Sequence, residues 1–199
     1  MKNKTKIGLL GGAFDPITKG HIQLARFVLN NTDIDQVRLS PCYSHPFNKK
    51  MISPTHRLKM CELATALEPK ISVFNYEIRY QTTSTYHFLK YLPLQWKMER
   101  YDFSYIIGMD NANNFDKWVE SEKLKKLIRF IVVSRQGIKA NKDEWYKKSP
   151  HICLEANDSI MKTSSTQVKN LLKKGEYGKA FDCLHFRVND YILKNGLYS

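Results

Sequence analysis

Ile7-Gly8-Leu9-Leu10-Gly11-Gly12-Ala13-Phe14-Asp15-Pro16-Ile17-Thr18-Lys19-Gly20-His21 is the stretch that decides how the rest of the chain is read. Its first residues are a short apolar run of the kind that fills a buried strand. Gly11 and Gly12 then let the backbone turn and approach a ligand with no Cβ in the way. Pro16 ends regular structure. Thr18 and His21 stand just before an amphipathic helix whose apolar face is Ile22, Ala25, Val28 and Leu29. A strand, a glycine turn and a helix start carrying a hydroxyl and an imidazole suit an anion, because first-turn N–H groups have no helical partner and the helix dipole favours negative charge there.

Outward from this unit the same alternation continues. Residues 36–40 read as a second strand closed by Pro41, and residues 42–54 as a polar loop holding His45, Lys49 and Lys50. Helical spacing over 55–67 turns Leu58, Cys61, Ala64 and Leu67 inward, with Thr55 as cap and Arg57 on the surface or at the site. Residues 71–74 form a third strand. Thr82-Thr83-Ser84-Thr85 then opens a helix over 86–92, where hydroxyls serve as caps. Residues 103–110 are a buried strand ending in Gly108 and Asp110, where open α/β sheets bind ligands. Trp118 follows on a short helix, 124–128 continues a helix, and 129–137 is a strand with a polar end at Arg135. Residues 139–150 read as a charged surface segment and 151–155 as the last strand. Ser164-Ser165-Thr166 begins a helix that runs to Gly175. Strands alternating with helices predict an α/β fold, a Rossmann-like, doubly wound, mainly parallel sheet with helices on both faces.

The 199 residues fit one domain spanning 1–199. Mean hydropathy is -0.47, as expected of a soluble globular chain. The N-terminal apolar run is broken by glycines and too short for a signal segment, and no stretch is long enough to span a bilayer, so the expected home is the cytoplasm. Cys42, Cys61, Cys153 and Cys183 show no CxxC spacing and read as small core residues, with neither zinc nor a disulfide framework implied. Thirty-two Lys and Arg against 19 Asp and Glu leave a formal charge of +13. Such a surplus attracts nucleic acid, anionic membrane or phosphorylated small molecules, and because the lysines are spread along the chain, charge alone does not choose among them.

Gly11-Gly12-Ala13-Phe14-Asp15-Pro16 with Thr18-Lys19-Gly20-His21 resembles the (T/H)xGH signature of the nucleotidyltransferase superfamily and, within it, the nicotinate and nicotinamide mononucleotide adenylyltransferases. The resemblance covers about residues 6–198. Ile106-Ile107-Gly108-Met109-Asp110 is similar to the family's I-I-G-x-D, and residues 132–137 to its V-V-x-R-x-G. Thr163-Ser164-Ser165-Thr166-Gln167-Val168-Lys169 is similar to its I-S-S-T-x-[IV]-R, with Thr163 for isoleucine and Lys169 for arginine. The family's Ser-Tyr-Thr helix start keeps only Thr85 and Leu89 here; Ser84 and His87 replace a tyrosine and an aspartate.

The resemblance implies adenylyl transfer from ATP to a pyridine mononucleotide. Thr18, His21 and Lys169 are its expected catalytic residues. Gly11, Gly12, Ala13, Phe14, Gly108, Asp110, Ser164, Ser165 and Thr166 join His21 and Lys169 around ATP. Lys50, Thr85, Trp118 and Arg135 are the expected mononucleotide contacts. Mg²⁺ is expected on the ATP phosphates, with no protein side chain as ligand. Nicotinate mononucleotide is the favoured acceptor, since helix N–H donors suit its carboxylate, and nicotinamide mononucleotide is the alternative. Pantetheine-phosphate and choline- or glycerol-phosphate transferases share the signature, and an inactive, basic nucleic-acid-binding domain on the same fold is the reading from another class. The closing residues 188–198 are expected to pack as a helix and take no part in the chemistry.

Overall fold

The computed structural model describes residues 4–44, 49–96, 98–135, 144–156 and 163–198. Among these, six strands form one parallel sheet in the order β3-β2-β1-β4-β5-β6. The strands are β1 (Thr5–Gly12), β2 (Gln36–Pro41), β3 (Ile71–Val73), β4 (Tyr101–Gly108), β5 (Arg129–Arg135) and β6 (Ile152–Ala156). The expected sheet is therefore present and parallel at every pairing. Its chain order reverses between β1 and β4, so the carboxyl ends of these neighbours flank a crevice.

Period-two alternation divides the core. Ile7 and Leu9 of β1, Phe103, Tyr105 and Ile107 of β4, and Phe130 and Val132 of β5 face one layer. Leu10, Ile106, Ile131 and Val133 face the other. Helices α1 (Lys19–Asn31), α2 (Pro54–Thr65), α7 (Ser165–Lys173), α8 (Tyr177–Asp182) and α9 (Phe186–Lys194) cover the second face. Helices α4 (Thr85–Gln95), α5 (Met109–Asn113) and α6 (Ser121–Leu127) cover the first, with the short α3 (Tyr76–Arg79) beside them.

Several local expectations need correction. Helix α2 stops at Thr65, and Leu67, expected inside, is 67% exposed. Its cap is Ser53, whose Oγ accepts the His56 N–H at 3.3 Å, with Pro54 in the first turn. Its inward face includes Arg57, which is fully buried because its guanidinium reaches backbone carbonyls. The segment expected to be a charged surface stretch instead buries Trp145 and Tyr146 on a single 3-10 turn; residues 136–143 lie outside the described set. Trp118 ends a 3-10 turn over Phe115–Lys117 and does not lie within a helix. All four cysteines are free thiols, and Cys61 is buried as expected. Among the described residues no helix is long and apolar enough to cross a membrane.

Candidate active site

The glycine turn leaves β1 at the crevice and is shaped by two aromatic neighbours. A Cβ on Gly11 would lie 2.0 Å from the Tyr105 hydroxyl, and one on Gly12 about 3.0 Å from the Phe14 ring. Phe14 adopts a left-handed φ of 46°, its ring buried and edge-on to His21 with centroids 5.1 Å apart. Thr18 is the extended residue ahead of α1. Its backbone N–H donates to His21 Nδ1 at 3.0 Å, and its Oγ1 lies 2.9 Å from the same nitrogen. A neutral ring that accepts at Nδ1 carries its proton on Nε2, so the imidazole is set as a donor.

The second phosphate-type motif, from the far end of the sequence, docks on this turn. Ser164 caps α7, its Oγ accepting the Gln167 N–H at 3.1 Å. Ser165 Oγ donates to the Pro16 carbonyl at 2.8 Å, and one helical turn later Lys169 Nζ meets Asp15 Oδ2 at 2.7 Å. Asp15 is only 3% exposed, and its other oxygen accepts from the Tyr198 hydroxyl at 2.8 Å. Lys49 Nζ donates to Thr166 Oγ1 at 3.1 Å, so Lys49 is the loop lysine brought to this motif, although it and Lys50 are both exposed.

Arg57 ties the surrounding loops together. Its guanidinium donates to the carbonyls of Ala13 at 2.8 Å, Tyr43 at 3.0 Å and Ile52 at 3.2 Å. One fixed cation thus links the glycine turn to both sides of the loop that carries Lys49.

Across the crevice lies a second recess, about 100 Å³, lined by Thr83, Ser84, Thr85, Tyr86, Lys117, Trp118, Val119 and Leu124. Ser84 caps α4 by accepting the His87 N–H at 3.3 Å. The Thr85 hydroxyl is hydrogen-bonded to Tyr105. Trp118 is held edge-on by Tyr105 and tilted against Phe115. Gly108 ends β4 under Asp110, whose Oδ1 would lie 2.6 Å from a Cβ there. Arg135 closes β5 at the same end of the sheet, though its side chain lies outside the described set.

A buried acid lies beneath both halves. Ser40 Oγ donates to Glu77 Oε1 at 3.0 Å, and burial pushes the Glu77 carboxyl up to about 7 despite the Ser40 hydrogen bond and the Arg57 charge. Burial also pushes the neighbouring Cys42 thiol up to about 11. Among the described residues no three His, Cys, Asp or Glu side chains are grouped to hold a metal ion.

Sequence reasoning assigned no role to Asp15 or Glu77, gave Tyr198 only packing, and left Arg57 between the surface and the site, whereas it is fully buried. A signal existed for Asp15, because a carboxylate inside an anion-binding motif calls for a nearby cation. None existed for the pairing of Glu77 or Tyr198, whose partners are distant in sequence.

Residues 9–171 match the cytidylyltransferase-like family. The chain is 32% identical over 194 residues to a probable nicotinate-nucleotide adenylyltransferase of Hydrogenobaculum sp. (strain Y04AAS1), covering 97% of this chain and 98% of that one. It is 34% identical over 199 residues to the protein of the same name from Streptococcus pyogenes serotype M3, covering 98% and 90%. In three dimensions it is similar to Plasmodium falciparum nicotinic acid mononucleotide adenylyltransferase complexed with NaAD, with a TM-score of 0.84, 25% identity and 98% coverage of both chains. The match spans both motif-bearing ends of the crevice, and the chain belongs to the cytidylyltransferase-like family, among its nicotinate-nucleotide adenylyltransferases.

Proposed function

We propose that this chain, acting as one cytoplasmic nucleotidyltransferase domain, transfers the adenylyl group of ATP to nicotinate mononucleotide, a step of NAD biosynthesis. The observation that carries this reading is the docking of Ser165 and Lys169 onto Pro16 and Asp15, which unites two anion-type motifs at the β1/β4 crevice. The 5′-phosphate oxygen of the mononucleotide attacks the α-phosphorus of ATP. As that P–O bond forms, the bond to the β-phosphate oxygen breaks, and pyrophosphate leaves with its electron pair. The nucleophile is already ionised, so no general base is required. Catalysis is then orientation plus stabilisation of developing charge.

In this reading the His21 Nε2–H and the N–H groups of α1 face the phosphates from one side, with the buried Thr18 holding the imidazole through Nδ1. Lys169, Thr166 and the start of α7 face them from the other, with Lys49 added from the loop. Gly108 and Asp110 border the adenosine, and Thr85, Trp118 and Arg135 border the pyridine mononucleotide. With no grouped protein ligands among the described residues, Mg²⁺ would be carried by phosphate oxygens and water, where it supplies charge neutralisation.

The acceptor is chosen by one group. A carboxylate only accepts hydrogen bonds, whereas a carboxamide also needs an acceptor for its NH₂. The N-terminus of α4, opening onto the recess with Trp118 and Lys117, supplies donors and positive charge. Nicotinate mononucleotide should therefore exceed nicotinamide mononucleotide in kcat/KM by about ten- to a hundredfold. Pyrophosphate release measured with each under identical ATP and Mg²⁺ tests this; equal values, or preference for the amide, would overturn the acceptor assignment and leave adenylyl transfer standing.

A further inference from the structure

We propose that Asp15 and Tyr198 are positioning residues that hold the Lys169 ammonium in place for the triphosphate. This rests on the ATP assignment above. Lysine is a point charge on a flexible stem and lacks the planar fork with which arginine fixes a phosphate. In this structure the missing rigidity comes from outside the side chain. Ser165 and Lys169 lie one turn apart on α7 and engage successive residues, Pro16 and Asp15, so the helix is pinned where Lys169 emerges. Asp15 takes one of the three Nζ protons, leaving two to point elsewhere.

The carboxylate must itself be fixed to do this. Its Oδ2 receives Lys169 and its Oδ1 receives the Tyr198 hydroxyl, at 2.7 and 2.8 Å. The tyrosine stands 183 positions away in sequence, on a left-handed residue (φ 69°) just beyond Gly196. Burial first, and then the Asp15 charge, raises the Tyr198 hydroxyl far above its usual range, so it remains a donor at any working pH. The competing account is a purely structural ion pair fastening the C-terminal residues to the sheet. That account predicts a change in melting temperature with no preference among substrates.

A double-mutant cycle on the full chain separates the two. Tyr198→Phe keeps the ring and leaves Asp15 Oδ1 unpartnered. It should lower kcat/KM for ATP about fivefold to tenfold, with the mononucleotide KM within about twofold of wild type. In a Lys169→Ala background the same change should alter ATP kinetics less than about twofold, because there is no ammonium left to position. Lys169→Arg should restore most of the loss caused by Tyr198→Phe, since arginine's fork is already rigid. Additive effects in the cycle, or equal losses for both substrates, would overturn the proposal.

A measurement on wild-type protein stands apart from whether Tyr198→Phe folds. A held, poorly exposed ammonium exchanges its protons slowly, so Lys169 should give a ¹H–¹⁵N signal of the NH₃⁺ type near neutral pH, identified by its absence in Lys169→Arg. Absence of that signal in wild type would also overturn the proposal. Failure of the wild-type protein to form dinucleotide from ATP would instead refute the functional assignment, so the two failures are distinguishable.

Discussion

Replacing Arg57 by methionine should loosen the active-site loops together, and the size of the effect follows from its contacts. The side chain is fully buried, and its five N–H donors are met in part by the carbonyls of Ala13, Tyr43 and Ile52. Each hydrogen bond from a charged donor contributes about 1.5–3 kcal/mol. Removing the guanidinium also removes its desolvation cost, so the net loss is well below the sum, about 3 kcal/mol. For a chain of this size that corresponds to a fall in melting temperature of about 6–12 °C. The functional loss should be larger than stability alone explains, because Ala13 precedes the turn that sets His21, and Tyr43 leads toward Lys49. A displacement of about 1 Å at such groups costs about a hundredfold in rate. The assay is calorimetric melting paired with steady-state pyrophosphate release, both run well below the transition. Arg57→Lys, which reaches fewer carbonyls, should fall between. An Arg57→Met protein that melts within about 2 °C of wild type and keeps its turnover would refute the assignment of Arg57 as the tie between loops.

Other outcomes are expected. The buried Glu77 carboxyl holds its proton up to about 7, against an ordinary 4.5, so its contribution to stability is complete below pH 4.5 and lost as pH rises through 7. That gap corresponds to about 3 kcal/mol, and urea titrations at pH 5 and pH 8 should show Glu77→Gln flattening the decline; an unchanged pH profile contradicts the buried-acid account. His21→Ala should keep its fold while kcat falls by roughly two to three orders of magnitude, and near-normal turnover in the folded variant would remove His21 from the phosphate site. Gly11→Ala places a methyl against the Tyr105 hydroxyl and should destabilise by about 1–3 kcal/mol, with Tyr105→Phe relieving part of it; chemical denaturation of the pair reads this out.

How far the sequence revealed these features depended on how local each cause is. The β1 run, its glycines and the Thr18 helix start are decided within fifteen residues, and they appear where the pattern places them. Ser164 and Ser84 are legible as caps for the same reason, since a cap oxygen and the N–H that donates to it are three residues apart. Helix α2 was misjudged because the spacing of apolar residues gave no reason to place Arg57 inside. Only the fold brings Ala13, Tyr43 and Ile52 to its guanidinium. Trp145 and Tyr146 were missed because their charged neighbours dominate the composition, although Phe115 and Phe130 meet the Trp145 ring in the core and Tyr146 packs on Trp145. The role of Tyr198 depends on a contact across nearly the whole chain, which no window of sequence contains.

The two faces of the sheet also differ optically. Trp145 is buried in the layer that holds Phe103, Tyr105 and Phe130, and Trp96 and Trp118 pack against that same layer. These are the chain's three tryptophans, so its tryptophan emission comes from one side of the protein. Only Trp118 lines the recess at the start of α4. A ligand entering that recess should quench or shift the emission, whereas a phosphate compound held between α1 and α7 should leave it nearly unchanged. The molecule thus carries its own reporter for one half of the crevice, and the order in which two substrates bind becomes readable without any added label.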